Sequence, residues 1–277
     1  MNNYKFSVII PTVSNNTFLL KCLNFLNQQS FKNFEVLLVS ENDLKSILNK
    51  DYFFNLRIIN KQIFTPGKKR NYAASIANGE YLCFIDDDAY PGKYWLEEAN
   101  NFFLSHDKFP THILLGGPGV IPEDDNFFSK CSNLFFCSIF TGISKSKYLV
   151  RKKYESFNFD DWPSANMSIS KKSFLEIGGF DDNYWPGEDS KLCLNLINSS
   201  GKIVYRSNFK VFHYRRSSFL KHFKQIFRYS YTRGLFFQNK DQNSRKFLYV
   251  IPTLFMFYVF FLPLLTLINI IFIIPIL

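Results

Sequence analysis

Apolar residues in the first part of the chain come in short unbroken runs separated by stretches of helical spacing. Phe6-Ser7-Val8-Ile9-Ile10-Pro11, Phe34–Val39, Arg57–Asn60 and Tyr81–Ile85 read as strands. Thr17–Gln29 places Leu19, Leu20, Leu23 and Leu26 on one side of a helix. Lys68–Asn78 does the same with Ala73, Ala74 and Ala77, and Gly79 is its stop. Strands without polar alternation are covered on both faces. The order strand, helix, strand, strand, helix, strand therefore predicts an α/β, Rossmann-like domain with a mostly parallel central sheet. Such sheets bind ligands beyond the carboxyl ends of their strands. Pro11-Thr12, Ser40-Glu41 and Asp86-Asp87-Asp88 all fall on that edge.

The second half is less regular. Tyr94–Leu104, Lys171–Ile177 and Ser190–Ser199 have helical spacing, and His112–Leu115, Ile203–Tyr205 and Phe209–His213 read as short strands. No internal repeat or low-complexity linker interrupts them. The opening apolar run after Met1–Lys5 is too short for the core of a leader peptide and reads as the first strand.

Charge changes the picture of the C-terminal part. Residues 1–201 hold 21 Lys/Arg against 22 Asp/Glu, whereas residues 202–246 hold 12 against one acid, Asp241, and residues 247–277 hold none. A near-neutral body, a collar of net +11 and an apolar tail describe a membrane-associated protein. A nucleic-acid binder needs base-reaching or stacking modules as well as a positive patch, and the sequence offers none. With 47% hydrophobic residues in 277, the chain has the material for a core, which excludes a disordered tail protein. Its five cysteines form no C-x-x-C pair, so neither a disulfide framework nor a structural zinc site is expected.

Three places carry candidate chemistry. Asp86-Asp87-Asp88 follows a buried strand directly. Adjacent carboxylates repel unless a cation offsets them, and hard oxygen ligands suit Mg²⁺ or Mn²⁺ bridging to phosphates. The plain alternative is a solvated acidic turn. Trp185-Pro186-Gly187-Glu188-Asp189 precedes a helix; one acid there reads as a cap, but two beside bulky aromatics also suit a general base. His213, alone after a strand, reads as structural by itself.

In this order the pieces resemble the family-2 glycosyltransferases of the nucleotide-sugar-binding GT-A fold, over about residues 5–235. The matching segments are Ser7-Val8-Ile9-Ile10-Pro11-Thr12, Gly67-Lys68-Lys69-Arg70-Asn71 and Ala77-Asn78-Gly79-Glu80-Tyr81. They continue with the Asp-x-Asp motif at Asp86–Asp88, Asn166-Met167, Gly178-Gly179-Phe180-Asp181 and the acidic pair Glu188-Asp189. The resemblance implies inverting transfer of a sugar from a nucleotide-diphosphate donor to a lipid-linked or glycan hydroxyl. It implies a metal site of Asp86, Asp88 and His213 holding Mg²⁺ or Mn²⁺. Asp189 would be the base with Glu188 beside it, and Pro11, Thr12, Glu41, Arg70, Asp86, Asp87, Asn166 and Trp185 would bind substrate. The family's usual Asp after the second strand is Ser40 here, and Glu41 is the substitute.

The remainder is expected to meet the membrane. The expected division is a GT-A domain over 1–217, a basic amphipathic membrane-surface segment over 218–246 and a transmembrane or re-entrant segment over 247–277. Ser218–Phe237 sets Phe219, Phe223, Ile226 and Phe227 against Lys221, Lys224 and Arg228. The apolar tail exceeds the roughly 20 residues of a span, though Pro252, Pro263 and Pro275 interrupt it. A basic collar before it predicts a cell-membrane protein with its catalytic domain on the cytoplasmic side. Two other readings remain. A sugar-phosphate nucleotidyltransferase needs a Gly-rich basic loop after the first strand, and Pro11–Asn16 has neither glycine nor a basic residue. A degenerate transferase serving as a membrane scaffold is favoured by Ser40 and opposed by the intact acids and His213.

Overall fold

The computed structural model describes residues 4–14, 16–44, 51–106, 112–138, 147–150 and 155–268. Its first half runs β1 (Tyr4–Pro11), α1 (Thr17–Leu26), β2 (Phe34–Ser40), β3 (Asn55–Asn60), α2 (Pro66–Ile76) and β4 (Gly79–Ile85). It continues with β5 (Ala89–Pro91), α3 (Trp95–His106), β6 (Ile113–Gly116), β7 (Gly119–Val120) and α4 (Phe127–Cys137). The second half comprises β8 (Glu155–Phe159), β9 (Asn166–Ser170), α5 (Lys171–Glu176), α6 (Glu188–Asn198), β10 (Lys202–Arg206) and β11 (Val211–His213). The long helix α7 (Phe219–Gln238) and α8 (Ile251–Ile268) follow.

Eight strands form the central sheet in the order β3-β2-β1-β4-β9-β6-β10-β8. The β3-β2-β1-β4 block and the β10–β6 pair are parallel, while β9 runs antiparallel between β4 and β6. The expected mostly parallel α/β sheet is thus present, with an antiparallel insertion. Strands β1, β2 and β4 are largely apolar without regular polar alternation because both of their faces are covered. Phe6, Val8 and Ile10 of β1 pack into a core with Leu19 and Leu23 of α1 and Trp95 and Phe102 of α3. Ile9, on the opposite face, joins Ala73 and Ala74 of α2, Phe174 of α5 and Leu192 and Leu196 of α6. At about 25 cal/mol per Å² of apolar surface, two continuous cores are the main stabilising contribution.

Two elements extend beyond their expected bounds. Helix α2 begins at Pro66, whose fixed φ and missing N–H suit a first helical position. Helix α6 begins at Glu188 rather than Ser190, so the acidic pair occupies its first turn, where the helix dipole favours negative charge. Its cap is Gly187 at φ +116°. A Cβ there would lie 2.7 Å from Thr232 Cγ2 and 2.8 Å from Phe236 Cζ, so glycine admits both the turn and the close approach of α7.

The C-terminal part departs more. Thr232 and Phe236 of α7 are buried, close to Gly187, whereas Phe219, Leu220, Phe223 and Phe227 are exposed. Among the described residues no helix is long and apolar enough to cross a membrane. Helix α8 has 18 residues, a rise of about 27 Å against a hydrocarbon core of about 30 Å, with Pro263 inside it. The span expected over 247–277 therefore takes the form of one 3-10 turn (Phe247–Tyr249) and this shorter helix. Residues 269–277 of that expectation lie outside the described residues.

Candidate active site

Strand β4 ends at Ile85 and releases the three aspartates where β1 also ends. Thr12, just past β1, donates from Oγ1 to Asp87 Oδ2 at 2.6 Å. The small sheet β5-β11-β7 lies beside this edge. In it His213 pairs in register with Ala89, and Tyr214 N donates to the Asp88 carbonyl at 3.1 Å. That register puts a histidine 125 residues away in sequence against the motif: His213 Nε2 is 3.0 Å from Asp88 Oδ1.

One ligand atom each from Asp86, Asp88 and His213 fits within 4.8 Å of the others. Two hard carboxylates and an imidazole, converging at a strand end, fit a divalent ion of the Mg²⁺ or Mn²⁺ type. The electrostatics prepare them unequally. Burial pushes the Asp88 carboxyl up, but His213 and the nearby Arg216 outweigh it and hold it down to about 2. Asp87 is pushed up to about 6 by burial and by its two neighbours, against the pull of the Thr12 hydrogen bond. Asp88 is thereby held in its ionised form, and Asp87 is turned toward Thr12.

Arg70 joins this cluster to the acidic pair. It lies on α2, buried, with Nη2 2.5 Å from Asp86 Oδ1 and Nη1 3.2 Å from Glu188 Oε1. Burial works against its charge, yet Asp86 and Glu188 raise its proton affinity above the ordinary value. Asp189, next in α6, accepts from Ser190 N at 2.8 Å and Ser164 N at 3.4 Å. Burial, then Glu188 and Asp161, push its carboxyl up to about 7. A carboxylate poised there can take a proton near neutral pH.

The other expected residues are placed less uniformly. Pro11 is the buried last residue of β1. Glu41 sits at the end of β2 in an ion pair with Lys69, whose Nζ also donates to the Thr12 carbonyl at 2.5 Å. Trp185 is 55% exposed at the rim, with the Arg228 guanidinium 5.5 Å from its ring centroid. Asn166 differs from expectation. It is 1% exposed, accepts from Trp95 Nε1 at 2.9 Å and donates to the Phe209 carbonyl at 2.7 Å. Its side chain cross-links the core instead of joining the aspartate cluster, because it opens the antiparallel strand β9 beside β4.

Four neighbours of the site were given no role by the sequence: Lys69, named only within a matching segment, and Arg216, Asp161 and Arg233. Arg216 Nη1 lies 3.4 Å from Asp88 Oδ2 and is half-exposed. The signal for Lys69 was its helical neighbour Arg70. Arg216 and Arg233 were hidden in the basic collar, and Asp161 in a stretch without periodicity.

The family model "Glycosyl transferase family 2" matches residues 7–178. A GalNAc(5)-diNAcBac-PP-undecaprenol beta-1,3-glucosyltransferase of Campylobacter jejuni is 25% identical over 218 residues, 73% of this chain and 63% of its own length. A dolichyl N-acetyl-alpha-D-glucosaminyl phosphate 3-beta-D-2,3-diacetamido-2,3-dideoxy-beta-D-glucuronosyltransferase of Methanococcus voltae is 25% identical over 239 residues, 83% of this chain and 73% of its own. Among solved structures, Staphylococcus aureus TarS residues 1–349 in complex with UDP superposes with a TM-score of 0.55 at 20% identity. That match covers 80% of this chain and 63% of TarS 1–349. The chain thus spans under two thirds of the Campylobacter relative and of that TarS fragment. The fold agrees with TarS, the family model covers well over half the sequence, and the chain belongs to glycosyl transferase family 2.

Proposed function

We propose that the chain is a membrane-associated, inverting glycosyltransferase that moves a sugar from a nucleotide-diphosphate donor to a hydroxyl of a lipid-linked or glycan acceptor. The observation that carries this is Arg70. One buried guanidinium ties the aspartate cluster at the end of β4 to the acidic pair at the start of α6, which supports reading them as the donor end and the base end of one site.

In this reading Thr12, Glu41 and Asp87 face the nucleoside end, and Arg216 stands beside the diphosphate. Asp86, Asp88 and His213 would hold the Mg²⁺ or Mn²⁺, whose charge offsets that of the departing diphosphate. Asp189 takes the proton of the acceptor hydroxyl as its oxygen bonds to the sugar's anomeric carbon. The bond from that carbon to the diphosphate oxygen breaks on the opposite face, and its electron pair leaves with the nucleotide. Glu188 stays paired with Arg70 and keeps Asp189 proton-hungry. Trp185 at the rim offers an apolar face to the acceptor. Support for a uridine donor and for lipid-linked acceptors comes from relatives: TarS structures hold UDP or UDP-GlcNAc, and the Campylobacter and Methanococcus enzymes are named for undecaprenol and dolichyl substrates.

Membrane association is part of the proposal. Exposed Phe219, Leu220, Phe223 and Phe227 of α7 run beside Lys221, Lys224 and Arg228. Helix α4 adds exposed Phe127, Leu134 and Phe135. The two helices meet where Ser132 Oγ lies 2.7 Å from His222 Nδ1. An apolar stripe flanked by cations suits an anionic bilayer surface, and a cytoplasmic face supplies both anionic lipid and nucleotide sugars. The test is a nucleotide-release assay over UDP-, GDP- and dTDP-sugars with Mn²⁺ or Mg²⁺. Release that needs the divalent ion and is lost in Asp88→Asn supports the reading; full activity of Asp88→Asn in EDTA overturns it.

A further inference from the structure

Behind the first turn of α6 lies a buried ionic cluster that the proposed chemistry leaves unused. Asp161, between β8 and β9, is 6% exposed. Its Oδ2 accepts from Lys147 Nζ at 3.1 Å and from Arg233 Nη2 at 2.9 Å, and its Oδ1 accepts from Ser190 Oγ at 2.9 Å. Arg233 reaches in from α7. It also donates to Ser190 Oγ at 3.2 Å and to Ser244 Oγ at 2.9 Å, with its guanidinium 4.5 Å from the Tyr249 ring centroid. Asn243 completes the cage by donating to the Ser190 carbonyl at 2.8 Å. Ser190 is the residue after Asp189, and its N–H holds Asp189 Oδ1.

We propose that Asp161 and Arg233 are positioning residues for Asp189: through Ser190 they lock the first turn of α6, and their opposed charges tune how readily Asp189 binds a proton. The inference rests on reading Asp189 as the base. An ion pair buried this deeply costs desolvation that its mutual attraction only partly returns, so its place beside the acidic turn calls for a local role. The electrostatics agree in direction. Asp161 is held well below the ordinary carboxylate range because Lys147 and Arg233 outweigh its burial. Its negative charge in turn raises Asp189, after burial and Glu188, while Lys147 lowers it. The other groups facing Asp189 are Arg70 of α2, Tyr148 beside Lys147, Cys193 of α6 and Tyr229 of α7. Of these only Arg70 is cationic, and it is engaged with Asp86 and Glu188. Because Arg233 belongs to the helix carrying the apolar stripe, the seating of α7 and the state of the base are joined.

Carbon-13 carboxyl titration of aspartate-labelled full-length protein tests this, with the Asp189 signal assigned by its loss in Asp189→Asn. A unit charge about 7–10 Å away at an effective dielectric near 20 moves a midpoint by about 1.2–1.7 pH units. Asp161→Asn removes a negative neighbour, so the Asp189 midpoint falls by about that much. Arg233→Gln removes a positive one, so it rises, and Arg233→Lys restores it. A purely structural role moves both variants the same way or neither, and either result overturns the proposal. Thermal melts identify any variant that fails to fold; Lys147→Gln, which removes the other cation paired with Asp161, then carries the test by raising the Asp189 midpoint, and an unmoved midpoint overturns the proposal. The base role is tested separately: UDP-GlcNAc turnover that survives in Asp189→Asn refutes the base and leaves the titration result standing.

Discussion

Replacing Arg70 with methionine removes one guanidinium and strands two carboxylates. Arg70 is 2% exposed, and its partners Asp86 and Glu188 are 28% and 7% exposed at the side chain. Breaking a buried pair by removing one partner costs about 3–5 kcal/mol, because the charge left behind is uncompensated. Two features place the loss near 3 kcal/mol. Asp86 reaches solvent, which screens it, and Arg70 Nε is buried without a hydrogen-bond partner among the described residues, so the native pair is itself imperfect. At about 2–4 °C per kcal/mol, the melting midpoint falls by about 6–12 °C. The double variant Arg70→Met/Glu188→Gln, which discharges the more buried partner, recovers about half of this. Mn²⁺ stabilises Arg70→Met more than it does the native protein, because Asp86 has lost its competing cation. The assays are urea unfolding and thermal melts with and without 1 mM-range Mn²⁺, an ion level on the order of weak site affinities. A loss below about 1 kcal/mol, or a double variant no more stable than the single one, refutes the reasoning.

Three further outcomes follow from the same geometry. Asp189 keeps its proton to about pH 7 when folded but loses it near 3.9 when unfolded, so its contribution to stability declines from about pH 4 to pH 7 and is flat above; urea midpoints across that range lose this slope in Asp189→Asn, and an unchanged slope contradicts the raised proton affinity. Phe236→Ala empties the buried contact between α7 and Gly187, costing about 3–5 kcal/mol by urea unfolding, and a cost under 1 kcal/mol shows that α7 does not dock there. Replacing Lys221, Lys224 and Arg228 with glutamine weakens co-sedimentation with phosphatidylserine vesicles about a hundredfold at about 1 kcal/mol per charge, whereas equal binding to neutral vesicles rules out the electrostatic part.

The sheet half of the fold was legible because buried parallel strands announce themselves. Phe34–Val39 and Tyr81–Ile85 have no polar alternation, and the acids follow directly at the strand end. The strand Asn166–Ser170 has the period of a strand, but its burial on both faces was not legible. Its alternation of Asn, Ser and Ser with Met and Ile looks half-exposed, but Ser168 is buried and donates to the Leu82 carbonyl at 2.9 Å. The same cause misplaced Asn166, whose polarity serves the scaffold. Helix α4 was missed because its apolar face is largely exposed: Phe127 is 83% accessible. For α7 the sequence separated apolar from basic faces, but the buried face lies further along the helix, at Thr232 and Phe236, chosen by the shape of Gly187 rather than by periodicity. The site residues were legible as types at strand and helix ends. Arg70 as the link between them was not, since pairing across 118 residues depends on how α2 and α6 pack on one sheet face.

The central claim is that one cleft holds a donor-binding end and a separate base. Calorimetry of UDP with Mn²⁺, together with single-turnover transfer or hydrolysis of a UDP-sugar, measures both ends in the same Asp189→Asn protein. The account predicts UDP affinity within about twofold of the native protein and a turnover reduced by about 10²–10⁴-fold, the usual contribution of a general base. Equal losses of binding and turnover, or turnover that persists at the native rate, would contradict it.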